Sequence, residues 1–481
     1  NSLDPNKFWQ QNYSFKEKRE LHNFLWLSSI DRKDNASTLR KIISLWNINN
    51  LNYKTLIWEN SVMSKRIMSW ILNADIILKN SNFEFRRNFI ESIIIQTNHL
   101  KKSFKHEINH QIKIEIITAL ILTGLVFKEY EENYEYSLRE LEKLTETSFD
   151  KNGFPVSKNP YDLLSHAKYF LLIKGAITDA QKYVPDYLDN IIEKNLECLK
   201  QITTPLGNLP LFNGSVEEDL TNFYEYINHF KIKIKKSKFN SGDIYILKNK
   251  KDVIYFEAGN PPKKNYSSSY QSGPLSFEYF FDDQKIITNS GFGVNISNKA
   301  RLLSRFTSSQ SALCLNDTSI VRFEKSNMMN KAYGFLIKRD FKISDLEYKN
   351  DPNKIQVKAS HNAYFKNFGC IHDRCIGIDK INDKVIGQDR LRKSINSNVK
   401  YDVRFHLYPG LLAVQTIGGN NLLVQINKNN ALLFSTNEKN LKIEKSIFFG
   451  GQKVLDNYCI LISGVMENNE KTIDWEIKKK I

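Results

Sequence analysis

The 481-residue sequence predicts an N-terminal incomplete (α/α) toroid over 1–232, followed by a large antiparallel β-sandwich over 239–481. Three observations predict it. Apolar residues before about position 230 recur at the three-four spacing of helices. After about position 238 they alternate every second residue in short runs. Between the two lies the basic stretch 231–238, KIKIKKSK, where the composition shifts most sharply.

Leu39, Ile42, Ile43 and Trp46 open the helical series. Met63, Ile67, Trp70, Ile71 and Ala74 continue it, then Phe89, Ile93 and Ile94, then Ile116, Leu120 and the apolar run 122–127. Residues 134–144 form a charged amphipathic segment with acid-base pairs on its outer face. The turn-rich stretch 150–160, DKNGFPVSKNP, reads as a loop. Helices are expected over 161–178 and 185–202, the second with Pro185 suited to its first turn, and 203–215 is again loop. The expected strands are 243–247, 253–258, 275–281, 355–359, 375–378, 403–407, 411–416, 421–426 and 442–449. Their Gly, Asn and Asp punctuation argues an antiparallel sandwich, and no internal repeat stands out.

With 41% hydrophobic and 25% charged residues, the composition is that of a globular protein. No apolar run reaches the roughly 18–20 residues needed to span a bilayer, because Lys113, Glu115 and Thr118 interrupt the best candidate, 112–127. No signal peptide is visible, but residue 1 is Asn rather than Met, which leaves an upstream segment open. Cys198, Cys314, Cys370, Cys375 and Cys459 are odd in number and lack CxxC spacing. They read as buried small apolar residues rather than a metal cluster or disulfide framework. The net charge of +16 is uneven: 1–230 holds 28 basic against 29 acidic residues, and 231–481 holds 41 against 24. Such a surplus raises the local concentration of anionic partners. The plain alternative is lysine written wherever solvent allows.

The stretch 267–291 carries the most information. Leu275, Phe277, Tyr279 and Phe281 alternate with Ser276, Glu278 and Phe280, the pattern of a strand with one buried face. DDQK supplies a turn, and a second strand over 285–288 stops at Asn289-Ser290-Gly291. The polar segment Tyr270-Gln271-Ser272-Gly273 leads into this hairpin, a place for a ligand-facing loop on a rigid sheet. The stretch resembles the hairpin of the heparinase II/III-like polysaccharide lyases, H-x-D-x-L-S-F-E followed by I-I-V-D-x-G. Leu275-Ser276-Phe277-Glu278 is intact, while Gln271 stands at the histidine position and Gly273 at the aspartate position.

More segments follow in the same order. The run from Arg305 to Ser311 is similar to R-x-T-x-A-H-N/S, with Gln310 at the histidine position. Ser360-His361-Asn362-Ala363-Tyr364 resembles S-H-D-G-Y, His372-Asp373-Arg374 resembles H-x-R, and Gly387-Gln388-Asp389-Arg390 resembles G-x-D. Arg404-Phe405-His406-Leu407-Tyr408-Pro409 is close to R-F-H-L-H-P. In the helical half, Asn109-His110 resembles the family's Asn-His pair. The loop from Asn152-Gly153 to Pro160-Tyr161 resembles the one before its catalytic tyrosine. Tyr161 falls one position early, where Asp162 follows, and Ser157 takes the place of a glutamate.

The resemblance implies β-elimination on a uronate-containing polysaccharide. That chemistry needs the uronate carboxylate neutralised, a base for the C5 proton and an acid for the departing O4. The implied catalytic set is Asn109, His110, Tyr161, Gln271 and His361. The implied glycan contacts are Lys158, Asn159, Arg305, Gln310, Tyr364 and Arg374. Gln271 cannot exchange a proton near neutrality, so Tyr161 is expected to serve as both base and acid, with Asn109 and Gln271 bracing the carboxylate. No cofactor is required. By analogy with relatives, His372, Asp373 and His406 are candidates for a structural divalent metal, without a fixed ligand spacing.

Each residue also has a plainer reading. Asn109-His110 fits a helix start, and Tyr161 fits a packing aromatic beside Pro160. His166, His361, Tyr364, His372 and His406 fit satisfied structural residues. The leading functional reading is a lyase of the cell envelope or periplasm acting on an acidic polysaccharide. The alternative is a catalytically degenerate glycan-binding or structural envelope protein of the same fold. Nucleic acid is not an expected partner, since no helix-turn-helix, RNP or zinc-finger pattern appears. The glycan, the cleavage mode and the oligomeric state stay open.

Overall fold

The computed structural model describes residues 9, 13–31, 36–235, 240–324, 336–338, 341–394, 398–419, 421–428 and 430–479. Part of the basic stretch expected to mark the domain boundary, 236–238, lies outside the described residues. By internal contacts the chain forms two compact units, one of residues 1–148 and 166–192, the other of residues 149–165 and 193–481. This division differs from a single cut at the basic stretch. The loop 149–159, and the chain from the last turns of the helix Asp186–Ile202 onward, belong with the sheets.

The first unit is helical. Its helices include Ala36–Asn50, Asn60–Leu72, Phe83–Ser103, His110–Val126 and Glu131–Ser148. Phe24, Trp46 and Trp70 meet edge to face at its centre, with ring centroids 5.2–6.1 Å apart. Arg66 is fully buried beside them, 4.3 Å over the Trp46 ring. A buried cation must be satisfied. Its Nε donates to Gln96 Oε1 at 2.6 Å and a terminal nitrogen to the His22 carbonyl at 2.8 Å. Helix His110–Val126 is buried on nearly every side from Ile114 to Gly124, which explains its apolar composition without a membrane. Among the described residues no helix is long and apolar enough to cross one.

The second unit is a sandwich of two antiparallel sheets. The strands in chain order are β1 (Ile244–Asn249), β2 (Asp252–Glu257), β3 (Phe277–Phe281), β4 (Gln284–Thr288), β5 (Leu313–Leu315), β6 (Ile343–Asn350), β7 (Lys354–His361) and β8 (Cys370–Asp379). They continue as β9 (Lys384–Lys393), β10 (Val399–Leu407), β11 (Leu412–Gln415), β12 (Asn421–Gln425), β13 (Ala431–Thr436), β14 (Leu441–Phe448), β15 (Leu455–Met466) and β16 (Glu470–Lys479). One sheet runs β1-β2-β3-β4-β10-β15-β14, with β5 beside β10; the other runs β11-β12-β13-β16-β9-β8-β7-β6. Trp475 of the second sheet stacks on Phe277 at 5.5 Å and meets Phe405 at 4.9 Å, both from the first sheet, so the two inner faces share one core.

The β3-β4 hairpin turns on Asp282 and Asp283, both at positive φ, as a two-residue hairpin loop requires. One detail differs from the alternating pattern: every residue of β3 is buried, so the strand has no solvent face. Glu278 explains this. Its carboxylate pairs with the fully buried Lys285 at 2.9 Å and accepts from Thr288 Oγ1 at 2.9 Å and the Leu211 backbone N–H at 3.2 Å. A glutamate in the sheet is thereby an anchor for the segment that packs over it.

Candidate active site

In the second unit, the loop 149–159 and the loop 267–273 are tied into one polar cluster. Asp150 Oδ1 accepts from the N–H groups of Asn152 and Phe154, shaping the loop start. Gly153 follows at φ 87°, where a Cβ would lie 2.4 Å from that of Lys194. Lys158, also at positive φ, reaches Asp243 Oδ2 at 2.7 Å. Asn159 starts the helix Pro160–Asp179: its Oδ1 accepts from Tyr161 N–H at 2.9 Å. Its Nδ2 donates to Asp162 Oδ1 at 3.2 Å and to Ser269 Oγ at 3.4 Å. Ser157 Oγ donates to the other Asp162 oxygen at 2.6 Å. The substituted pair of the family motif, Ser157 and Asp162, is therefore joined by a direct bond. Burial pushes the Asp162 carboxyl up to about 6 against that bond. Tyr161 is exposed at 36%, its side chain the accessible one of the group.

Gln271 sits 1% exposed behind this surface. Its Oε1 accepts from Gly214 N–H at 2.9 Å, and its Nε2 donates to the carbonyls of Gly291 at 3.0 Å and Ser304 at 2.7 Å. Gln310, the second glutamine at a histidine position, donates to the same Ser304 carbonyl at 2.8 Å. Gln271→Ala is expected to destabilise the protein by about 1–3 kcal/mol for each buried group left unsatisfied. Gln271→His retains one donor and one acceptor, so its loss should be smaller. Urea denaturation of the two variants checks the order.

Several residues assigned to the glycan are spent inside the protein, which corrects that reading. Gln271 and Gln310 serve the backbone as just described. Arg305 is buried, donates to the carbonyls of Tyr270 and Ser267, and lies 4.0 Å over the Phe323 ring. Tyr364 is buried and its hydroxyl donates to the Leu313 carbonyl at 3.0 Å. Arg374 pairs with Asp389 through Nε at 2.7 Å and donates at 2.9 Å to the carbonyls of Leu275 and Ser311. It clamps the second sheet to the hairpin entry of the first.

His361 belongs to a one-directional relay rather than to an open site. Ala363 N–H donates to His361 Nδ1 at 3.3 Å, His361 Nε2 lies 3.1 Å from His372 Nδ1, and His372 Nε2 lies 2.7 Å from Asp389 Oδ1. Asp389 accepts, so both imidazoles are neutral and carry their proton on Nε2. Trp475 Nε1 donates to the other Asp389 oxygen at 3.1 Å. Burial opposes the charge on Asp389, yet the Arg374 guanidinium and the His372 bond hold its carboxyl below the usual carboxylate range.

The proposed metal ligands do not share a site. Asp373 accepts from Arg392 at 2.6 and 2.8 Å and from Ser360 Oγ at 2.6 Å. His406 faces Ser446 Oγ and donates to the Ser308 carbonyl. His372 is held in the relay. Among the described residues no three His, Cys, Asp or Glu groups are placed to hold a metal ion.

In the helical unit, Asn109 caps helix His110–Val126, accepting from the N–H groups of Gln111 at 3.0 Å and Ile112 at 3.3 Å. His110 Nδ1 lies 3.2 Å from Ser148 Oγ, and burial lowers this histidine to about 4. His166 is buried and stacked on Phe170.

Sequence reasoning missed Glu257, a carboxylate at the end of β2 that is 1% exposed. Burial, then Asp243, push it up to about 8, while Gly259 N–H donates to it at 3.2 Å. A lone acid inside the apolar run 253–258 was the available signal.

Burial also lowers His22 and His166 to about 3 and His406 to about 4, and it lowers His99, His361 and His372. An unfolded histidine titrates near 6.5. Below that pH the unfolded chain binds protons that the folded chain refuses, so stability is expected to fall from about pH 6.5 toward 4. Asp162, Glu217, Asp252 and Glu257 act in the opposite sense, being protonated more readily when folded, but they are four against seven histidines. Thermal melts across this range check it. A melting temperature that rises on acidification contradicts it.

Residues 233–476 match the family described as Heparinase II/III-like, C-terminal. The chain belongs to that family. The heparinase II/III-like fold extends over both units. Heparinase III matches with a TM-score of 0.73 at 16% identity, over 97% of this chain and 76% of that chain. Heparan sulfate lyase HepC from Pedobacter heparinus matches at 0.68 and 15%, over 98% and 78%. A heparinase III, the BT4657 gene product, matches at 0.71 and 13%, over 99% and 81%. A search of curated proteins gives no match. The expected architecture, an N-terminal helical toroid followed by an antiparallel sandwich, is the one these likenesses share.

Proposed function

We propose that this chain is a polysaccharide lyase that cleaves an acidic, uronate-containing glycan by β-elimination. One observation carries the reading. Two loops bearing family-like motifs are bonded to each other through Asn159 and Ser269, a third segment joins the second of them through Gly214 to Gln271, and Tyr161 at the end of the first loop is exposed. In the reaction a base removes the uronate C5 proton, its electron pair forms the C4=C5 bond, the C4–O4 bond breaks and O4 takes a proton. Tyr161 takes the first proton and returns one to O4, while Lys158 stays paired with Asp243 at 2.7 Å. The reaction so written needs no cofactor. An acidic glycan of the cell envelope or periplasm is the substrate class this implies.

A second reading is a glycan-binding protein of the same fold without turnover. Gln271 favours it, because its amide is held by three backbone bonds and offers no exchangeable proton.

A panel of acidic polysaccharides tests the proposal. Binding is expected to weaken as salt rises, because the lysine surplus of 231–481 acts through screened charge. The ultraviolet absorbance of an unsaturated uronate is expected to grow. Equal, salt-insensitive binding of a neutral glucan contradicts the substrate class.

A further inference from the structure

In the second unit a cavity of about 460 Å³ opens between residues 260–264, which follow β2, and residues 337–338 and 341–343, which lead into β6. Its floor is apolar: Pro262, Ile337 and Phe341 are buried. Its rim is basic. Lys263, Lys338 and Lys342 are exposed and make no ion pair among the described residues, while Lys264 pairs with Glu324 at 2.7 Å. The two walls are tied to each other. Ile343 N–H donates to Asn260 Oδ1 at 2.9 Å, and Ile337 N–H donates to Ser267 Oγ at 3.0 Å. Side chains of one wall thus hold the backbone of the other, and the cavity is formed before any ligand enters. Its size is within the range of small-molecule pockets.

The charge around it is one-sided. The three segments that bound it, 260–264, 322–324 and 336–345, hold six basic residues against three acidic ones. Two further carboxylates, Asp243 and Glu257, lie beside Gly259, next to Asn260. Asp243 is paired with Lys158. Burial, then Asp243, push Glu257 up to about 8, which leaves it mostly protonated at neutral pH. A surplus of ammonium groups over an apolar floor concentrates anions.

The cavity also adjoins the Tyr161 cluster. A Cβ at Gly259 would lie 3.0 Å from Asp243 Oδ2, the oxygen that Lys158 Nζ meets at 2.7 Å. Through these contacts and one peptide step, Asn260 Cα is no more than about 11 Å from Lys158 Nζ. Followed the other way from Lys264, the same loop reaches Ser269, which accepts from Asn159, and then Gln271.

We propose that this cavity is a second subsite for the acidic glycan, taking a carboxylate or sulfate carried by a sugar further along the chain than the one at Tyr161. The inference rests on the reading of the Tyr161 cluster as the place where that glycan is cleaved. It makes Lys263, Lys338 and Lys342 the residues that select for chains long enough to reach both places.

Acetylation of lysines, followed by peptide mass spectrometry on the intact chain, reads the site directly. The probes are decasaccharides of heparan sulfate, chondroitin sulfate and alginate, the last bearing carboxylates alone. At least one is expected to slow acetylation of Lys263, Lys338 and Lys342 about threefold when present at twice its Kd. Lys442 and Lys445, exposed on β14, are expected to label as before. Protection by alginate assigns the subsite to carboxylate, and protection by the sulfated chains alone assigns it to sulfate. Lys338→Ala with Lys342→Ala is expected to weaken decasaccharide binding about tenfold. It is also expected to erase the advantage of the decasaccharide over the tetrasaccharide, because a chain that spans two subsites gains through effective concentration. Lys442→Ala with Lys445→Ala removes the same charge and is expected to keep that advantage. Absence of protection by every probe, an equal loss in both double variants, or a length advantage that survives in the first overturns the proposal. Protection without formation of an unsaturated uronate keeps the subsite and removes the lyase reading, so the two fail separately.

Discussion

Tyr161→Phe is expected to lower turnover on the acidic glycan by about a hundredfold to ten-thousandfold, the contribution of one acid-base group. Both histidine positions of the family motifs hold glutamines bonded to the Ser304 carbonyl, so neither moves a proton. On the proposed reading Tyr161, whose side chain is exposed, serves both steps. Substrate affinity is expected to change little, because the hydroxyl acts on the reacting atoms. The rival is Asp162, whose carboxyl is pushed up to about 6 by burial and is already aligned by Ser157 and Asn159. If Asp162 is the base, Tyr161→Phe stays active, Asp162→Asn loses activity, and kcat/KM falls as pH drops below about 6. Steady-state kinetics of the two variants decides between them.

Arg374→Met is expected to cost about 3–5 kcal/mol of stability, because it leaves the buried Asp389 carboxylate without its cation. It also strips the carbonyls of Leu275 and Ser311 of their donor. The double variant Arg374→Met with Asp389→Leu removes the orphaned charge and is expected to recover part of the loss. Guanidinium denaturation measures both. A single-variant loss below about 1 kcal/mol, the scale of an exposed pair, would show that the relay is not the clamp described.

These two residues show what the sequence could and could not reveal. The helical spacing of Trp46, Met63, Ile67 and Trp70 foretold a buried face, and all four are buried. The alternation from Leu275 to Phe281 foretold the hairpin, since backbone period and burial are local properties. What alternation could not show was that Glu278 and Lys285 are buried as a pair, because the partner that covers them, the segment at Leu211, is far away in the chain. Motif order placed Arg374, Tyr364 and His361 near chemistry. It could not tell a residue that touches glycan from one that positions the sheets, since both roles use the same donors. Strands β9 and β16 were passed over because charged residues on their outer face, such as Arg390, Arg392 and Glu470, mask the period. Which of Tyr161 and Asp162 is the more exposed depends on the bonds of Asp162 to Ser157 and Asn159, a bonding choice that spacing does not encode.

The most direct test of the central claim is proton NMR of an acidic polysaccharide, rich in uronate, after incubation with the protein. The account predicts a new vinylic proton at C4 of a non-reducing-end uronate, growing with time and greatly slowed in Tyr161→Phe. Saturable, salt-sensitive binding of the same polysaccharide with no vinylic signal would contradict β-elimination and leave the glycan-binding reading in its place.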